Sequence, residues 1–273
     1  MNKLNYAQEV CNFVNARGYQ TEITENYRNN GSYVAISVRQ GNSNVAPVFT
    51  VGDETEPPII FAQRILSSVP AQINTDAIAE IFSDKEAVLS RVNYILVNSE
   101  LNKNRTNLVK QPINQTLELQ YKVDVSDVVD GGRTPLEKRH IEKLGISESE
   151  VWARAYTNTM EKYPYKFKPI SELLCCDILD EAPQMYVLSN STGINGAAAI
   201  LYQGIKDLLD ETVGEAIIIP SSVHEMIVIP ASLGNKEDVM KMIREVNESC
   251  LKPEDILSDR PYELVSDGVL FEM

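Results

Sequence analysis

Two apolar, Ile- and Val-rich runs, Ala216–Ile219 and Met226–Pro230, flank the polar pentapeptide Ser221-Ser222-Val223-His224-Glu225. Side chains of this kind pack best on a pleated, buried surface, and a short polar link between two such runs folds the chain back on itself. The stretch 216–230 therefore predicts an antiparallel hairpin with buried arms and a polar tip. A chain that contains it must assemble around a sheet.

The flanking sequence supplies the rest of that layer. Met185–Leu188 predicts a buried strand, Ser189–Gly196 (SNSTGING) a polar loop, and Ala197–Val213 a helix with Leu201, Ile205, Leu208 and Leu209 on one face. Asn235 is placed to cap a helix over Lys236–Ser249 whose inward face carries Val239, Met242, Ile243 and Val246. A last pair of short strands, 262–265 and 268–271, extends the sheet.

Toward the amino terminus, Leu4, Ala7, Val10, Cys11 and Val14 recur at helical spacing and Gly18 ends the helix. QTEITENYR and SYVAISVR alternate around Asn29-Asn30-Gly31, whose Asn-Gly pair suits a tight hairpin, and APVFTV predicts a third strand. Helices follow from Ile60 to near Pro70, carrying Ile60, Phe61, Ile65 and Leu66, and over Thr75–Phe82 and Ser83–Val92, the last with Ser83 and Glu86 at capping-box spacing. Tyr94–Val97 is a short apolar run, and the Asn-rich piece 98–107 reads as a solvated connection or a frayed helix. A domain boundary near Pro112 divides a 1–112 region, a helix with an antiparallel meander and helices, from a larger 113–273 domain holding the hairpin. The fold class is α+β.

Beyond that boundary, LELQYKVDV (117–125) predicts a half-buried strand. Gly145 closes one helix, while Ser147 and Glu150 form a capping box for the next, on which Val151, Ala155, Asn158 and Thr159 share a face. Asn158 on that stripe either satisfies neighbouring backbone or lines a cleft. KYPYKFK (162–168) is a basic, aromatic island, read as a loop with inward-packed aromatics or as a phosphate contact.

The net charge of −14 excludes direct binding to nucleic-acid backbones, which requires a basic face. It permits an acidic decoy for a nucleic-acid-binding protein, although the acidic residues are interspersed with Lys and Arg. No apolar run approaches the roughly 18 residues of a membrane span, and the opening residues interleave Asn, Gln and Glu with apolar side chains, so a cytoplasmic protein is expected. The four cysteines, Cys11, Cys175, Cys176 and Cys250, lack C-x-x-C spacing and read as buried thiols. Asn114-Gln115-Thr116 fits a glycosylation sequon that a cytoplasmic chain does not use.

Candidate chemistry is confined to a few side chains. Ser221 or Ser222 as nucleophile, His224 as base and Glu225 or another carboxylate as orienting group would make a hydrolase or transferase, but no G-x-S-x-G elbow is present and triads usually gather their members from separate elements. A metal site fails for want of ligands: His140 is the only other histidine, and H-E-x-x-H is broken by Val228. Ser189–Gly196 lies where a phosphate loop would, yet lacks the Lys of a Walker A motif and the third glycine of a dinucleotide fingerprint. No cofactor is expected. Turn hydroxyls and a loop-bridging His224 are the structural alternative.

The segments YVLSN and NGAAAIL within MYVLSNSTGINGAAAILY, IIIPSSVHEMIVIP, and LSDRPYEL resemble an uncharacterised clostridial and gut-Firmicutes family known only as a domain of unknown function. That resemblance covers most of the chain and is specific from about Leu117 onward. The order of a helix around Trp152–Asn158, a strand at Tyr186 and paired strands around Pro220 is more distantly similar to a second uncharacterised, Bacillus-type family. Neither resemblance implies a catalytic residue or cofactor; the first implies an accessory role in a bacterium. The expected function is protein or small-ligand binding without catalysis, through Ser221, Ser222, His224, Glu225, Asn158, Asn190 and Asn195. A Ser/His enzyme and an acidic DNA mimic are the alternatives, and the oligomeric state stays open.

Overall fold

The computed structural model describes residues 2–39, 41, 46–52, 56–69, 75–174 and 184–273. They form two compact units: Met1–Asp84 with Val125–Gly132, and Lys85–Asp124 with Arg133–Met273. Position 112 falls inside the second unit, at the end of a strand.

In the first unit, α1 (Lys3–Asn15) starts at Asn2, whose side chain accepts from the Asn5 N–H, and precedes the meander β1 (Gln20–Arg28), β2 (Gly31–Arg39) and β3 (Val48–Thr50). β1 and β2 pair from Gln20↔Arg39 to Arg28↔Gly31, leaving a two-residue turn. Asn30, at φ 62°, takes the left-handed backbone there; Gly31 is already in the strand. α2 (Pro58–Ser68) and α3 (Thr75–Ile81) complete the unit. Val10, Val14, Ile36, Val38, Phe61 and Ile65 make its core. Leu4, expected inward on α1, is exposed, and Tyr6 is buried instead. On α2 (Pro58–Ser68), Ile60 faces out and Ala62 faces in, so the buried stripe is Phe61, Ala62 and Ile65.

The second unit opens with α4 (Lys85–Leu89), a shorter helix than expected. Its anticipated capping box does not form: the Ser83 hydroxyl donates to Glu80 O, and Glu86 pairs with Arg154 at 2.8 Å. A four-stranded sheet follows, with β6 (Leu117–Asp124) flanked by β4 (Val92–Asn98) on one side and by β5 (Lys110–Pro112) and β7 (Arg133–Pro135) on the other. Residues 98–107 are a largely exposed, turn-rich connection, as expected, but two of its asparagines are fixed in place. Asn98 caps the Leu101 N–H and donates to Leu257 O, and Asn102 is buried, donating to Asn98 O. In the sequon, Asn114 is used structurally: its carbonyl accepts the Thr116 and Leu117 N–H groups and its amide donates to Leu270 O.

α5 (Lys138–Leu144) ends at left-handed Gly145, and α6 (Glu148–Lys162) begins with the Ser147/Glu150 capping box, both as the sequence dictates. Lys85 and Ser147 hold the Glu150 carboxyl down to about 2. KYPYKFK is not a loop: Tyr165–Pro169 is strand β8, leading into α7 (Ile170–Leu174). β8 pairs with β9 (Tyr186–Asn190), and Phe167 stacks on Tyr186 with centroids 4.8 Å apart.

The expected long helix after β9 is broken. Gly196–Leu201 is a 3₁₀ turn, and α8 (Ile205–Thr212) starts afresh after Gly204, at φ 82°. The central hairpin is β10 (Ala216–Ser222) and β11 (Glu225–Pro230), paired from Ala216↔Pro230 to Ile219↔Ile227 and, past a bulge, Ser222↔Glu225. The connection is thus two residues, Val223-His224, instead of five. α9 (Lys236–Ser249), capped by Asn235, packs Val239 and Ile243 on Ile217, Ile219 and Ile229. Met242 and Val246, expected inward, are exposed, and Asn247 is buried and donates to Ser258 O. β12 (Tyr262–Ser266) and β13 (Val269–Glu272) close an antiparallel sheet of order β13-β12-β10-β11-β9-β8. The hairpin lies at its centre, with Ile217, Ile218, Ile219, Met226, Val228 and Ile229 buried.

Cys11 is buried and Cys250 exposed, both as free thiols, so the expectation of burial fails for Cys250, which follows the α9 carboxy terminus. Cys175 and Cys176 lie outside the described residues. Among the described residues, no helix is long and apolar enough to cross a membrane.

Candidate functional site

The antiparallel order places the end of β9 beside the tip of the β10–β11 hairpin, so the two polar loops that stand apart in sequence meet. Asn190, buried at the end of β9, organises the first of them. Its side-chain carbonyl accepts from the Thr192 N–H at 3.0 Å, the Thr192 hydroxyl at 2.9 Å and the Gly193 N–H at 2.9 Å, and its amide donates to Ile194 O at 2.9 Å. This amide thereby closes the loop from both of its ends, by its carbonyl and by one N–H.

The two loops are then tied together. The Ser189 hydroxyl donates to His224 O at 2.7 Å, and Asn195, in left-handed backbone at φ 54°, aims its N–H at His224 Nδ1 at 3.1 Å. Gly196 fits between the loops. A Cβ there would lie 2.2 Å from Ser189 Oγ and 2.6 Å from both Asn190 N and His224 O.

The His224 ring spans three segments. An N–H can only donate, so Nδ1 facing Asn195 must be the bare nitrogen of the neutral imidazole, and the proton sits on Nε2. Nε2 lies 3.1 Å from Asp255 Oδ1, in the 3₁₀ turn Pro253–Asp255, and Val223 N–H donates to Asp255 O at 2.9 Å. Ser222 Oγ accepts from the His224 backbone N–H at 3.0 Å, and Ser221 donates to Glu225 Oε1 at 3.3 Å. Neither hydroxyl bonds the ring. Asp255 was missed by the sequence reading, because a partner 31 positions from His224 leaves no local signal.

Beside these loops is a cleft of about 260 Å³. β8 contributes Lys166 and Lys168, β9 Val187 and Ser189, the loop Asn190 through Gly193, and the hairpin Glu225. Lys166 Nζ donates to Ser191 O at 2.7 Å, and Lys168 pairs with Glu172 at 2.9 Å. The basic island and the polar loop of the sequence are therefore neighbours across one pair of strands, Lys166 opposite Ser189 and Lys168 opposite Val187. A larger hollow of about 310 Å³ lies under α8, between β10 and β12, and holds none of the candidate side chains.

Asn158 stands apart. Its amide donates to Leu89 O at 2.9 Å and Val92 O at 2.8 Å, pinning α6 to the chain between α4 and β4. Asn158→Ala is expected to lower stability by about 1–2 kcal/mol, two net hydrogen bonds, measured as a shift in urea midpoint at unchanged slope. His140 is also local: its Nδ1 accepts the Glu137 N–H at the start of α5, and burial holds its imidazolium below the usual range. Among the described residues, no three His, Cys, Asp or Glu side chains converge as metal ligands.

A family model described as a family of unknown function, DUF5688, matches residues 4–265. The chain belongs to this family. Comparison with curated proteins and with solved structures gives no match. The match takes in both units and every element from α1 to β12, so the loop cluster around His224 is part of a DUF5688 domain.

Proposed function

We propose that the protein binds a small ligand without transforming it, in the cleft between β8, β9 and the Asn190–Gly193 loop. The observation that carries this reading is the double occupancy of the His224 ring. With Nδ1 taken by a backbone amide and the Nε2 proton facing Asp255, the imidazole works as a strut that fixes two loops, and no bare nitrogen faces a nucleophile. Asp255 is the one feature that favours a Ser/His enzyme, since it supplies the carboxylate such an enzyme needs. Yet it engages the ring without leaving the opposite nitrogen to Ser221 or Ser222. The exposed free thiol of Cys250, with the charge of −14, supports a soluble protein of the reducing cytoplasm.

The test is metabolite capture. Wild-type protein incubated with a cell extract and recovered by rapid filtration should enrich a small set of metabolites, chemically unchanged. Ser191→Trp, which fills the cleft from a side chain outside the Asn190 bonds, should lose that enrichment at unchanged thermal stability. Equal enrichment on both proteins would move the ligand elsewhere, and accumulation of a new product would overturn the non-catalytic reading.

A further inference from the structure

Alternation along β6 sends Leu117, Leu119, Tyr121 and Val123 to one face and Glu118, Gln120, Lys122 and Asp124 to the other. The sequence predicts a solvated polar face. Instead Glu118, Gln120 and Asp124 are buried, Gln120 to 1% exposure, and Lys122 is half-buried.

Most of this polar row is paired. Glu118 takes Lys110 Nζ at 2.9 Å and the Gln120 amide at 2.8 Å, and Gln120 Oε1 takes Arg105 Nη1 at 2.7 Å. Asp124 takes Lys162 Nζ at 2.7 Å and the Tyr163 hydroxyl at 3.1 Å. Lys122, between them, bonds neither carboxylate. Opposite it in register are Asn93 on β4 and Pro135 on β7. Asn93 is 6% exposed; its amide donates to Arg91 O, and its Oδ1 is buried with no hydrogen-bond partner. Arg133, opposite Asp124, lies over the Tyr163 ring at 4.9 Å.

Burial, then the charges of Arg105 and Arg133, lower the Lys122 ammonium to about 8. A half-buried cation flanked by two guanidiniums, next to a buried acceptor without a donor, is an arrangement that folding alone disfavours.

We propose that Lys122, Arg105 and Arg133 form a binding site for a small oxyanion, the phosphate or carboxylate group of a metabolite, with Asn93 Oδ1 accepting from a hydroxyl on that ligand. The anion supplies the counter-charge the Lys122 ammonium lacks, and guanidinium groups match oxyanion geometry. A hydrogen phosphate carries both the charge for the cations and the donor for Asn93. The site is built on β4, β6, β7 and the 98–107 connection, and it shares no residue with the cleft beside β8.

Lysine acylation mapped by peptide mass spectrometry, together with thermal unfolding, tests it with inorganic phosphate and malonate as probes. At millimolar phosphate, acylation of Lys122 should slow several-fold while exposed lysines such as Lys103 are unaffected, and Tm should rise. Lys122→Met and, separately, Arg133→Gln should lose the phosphate-dependent rise in Tm. Protection by malonate but not phosphate would support the site and assign it to carboxylates. Unchanged acylation of Lys122 in both anions, or a full Tm response in Lys122→Met, would overturn it.

Discussion

Replacing Gly196 by alanine is expected to lower stability by about 3 kcal/mol, the upper part of the range for overpacking a tight site. Of the three atoms the new Cβ would meet, two are backbone, Asn190 N and His224 O, and they belong to different loops. The third, Ser189 Oγ, can swing away only by giving up its bond to His224 O. The methyl group therefore acts as a wedge between the end of β9 and the β10–β11 turn. Urea unfolding should show a lower midpoint at unchanged slope, and the ligand enrichment expected for the cleft should fall with it. A loss below about 0.5 kcal/mol, the ordinary scatter of surface substitutions, would mean that the loops separate freely and do not hold each other.

His224→Ala is the second large effect, a loss of about 2–3 kcal/mol. Most of it comes from the Asn195 N–H, left without its acceptor in a half-buried site, where an unmade hydrogen bond costs about 1–3 kcal/mol. The Asp255 contact adds less. The His224 and Asp255 side chains are 38% and 29% exposed, and solvent-accessible pairs contribute at most about 1 kcal/mol. A double-mutant cycle with Asp255→Ala separates the two: coupling below about 1 kcal/mol is expected, with the larger remainder belonging to the Asn195 bond. Coupling that accounted for the whole loss would mean that the Asp255 hydrogen bond, and not the backbone bond, holds the ring.

The parts of this fold that were legible in the sequence are those written by neighbouring residues. Ser147 with Glu150, Gly145 and Asn235 mark helix ends by bonds that close within a few positions, and the arms of the central hairpin announce themselves because a strand covered on both faces is apolar along most of its length. What was missed depends on partners far along the chain. β8 is a strand because β9 offers it an edge, although Pro164 and its lysines argue for a loop. Gly204 breaks what its apolar spacing presents as one helix, since Asp267, 63 positions on, accepts the Gly204 N–H and stabilises a new start. Of the candidate site, Asn190, Asn195, Ser222 and His224 were all visible as polar residues in polar loops. Their mutual bonds, and the Asp255 carboxylate, were not. The burial of the polar face of β6 had no signal either, because alternation reports which residues share a face and not whether that face is covered.

The claim on which the functional reading rests is that His224 is a structural strut with its proton on Nε2. Long-range ¹H–¹⁵N correlation spectra of the imidazole, assigned with His224→Gln as the reference, measure this directly. The account predicts a bare Nδ1 and a protonated Nε2 whose hydrogen exchanges slowly. A protonated Nδ1 with a bare Nε2, the arrangement of a base with its lone pair free, would contradict it.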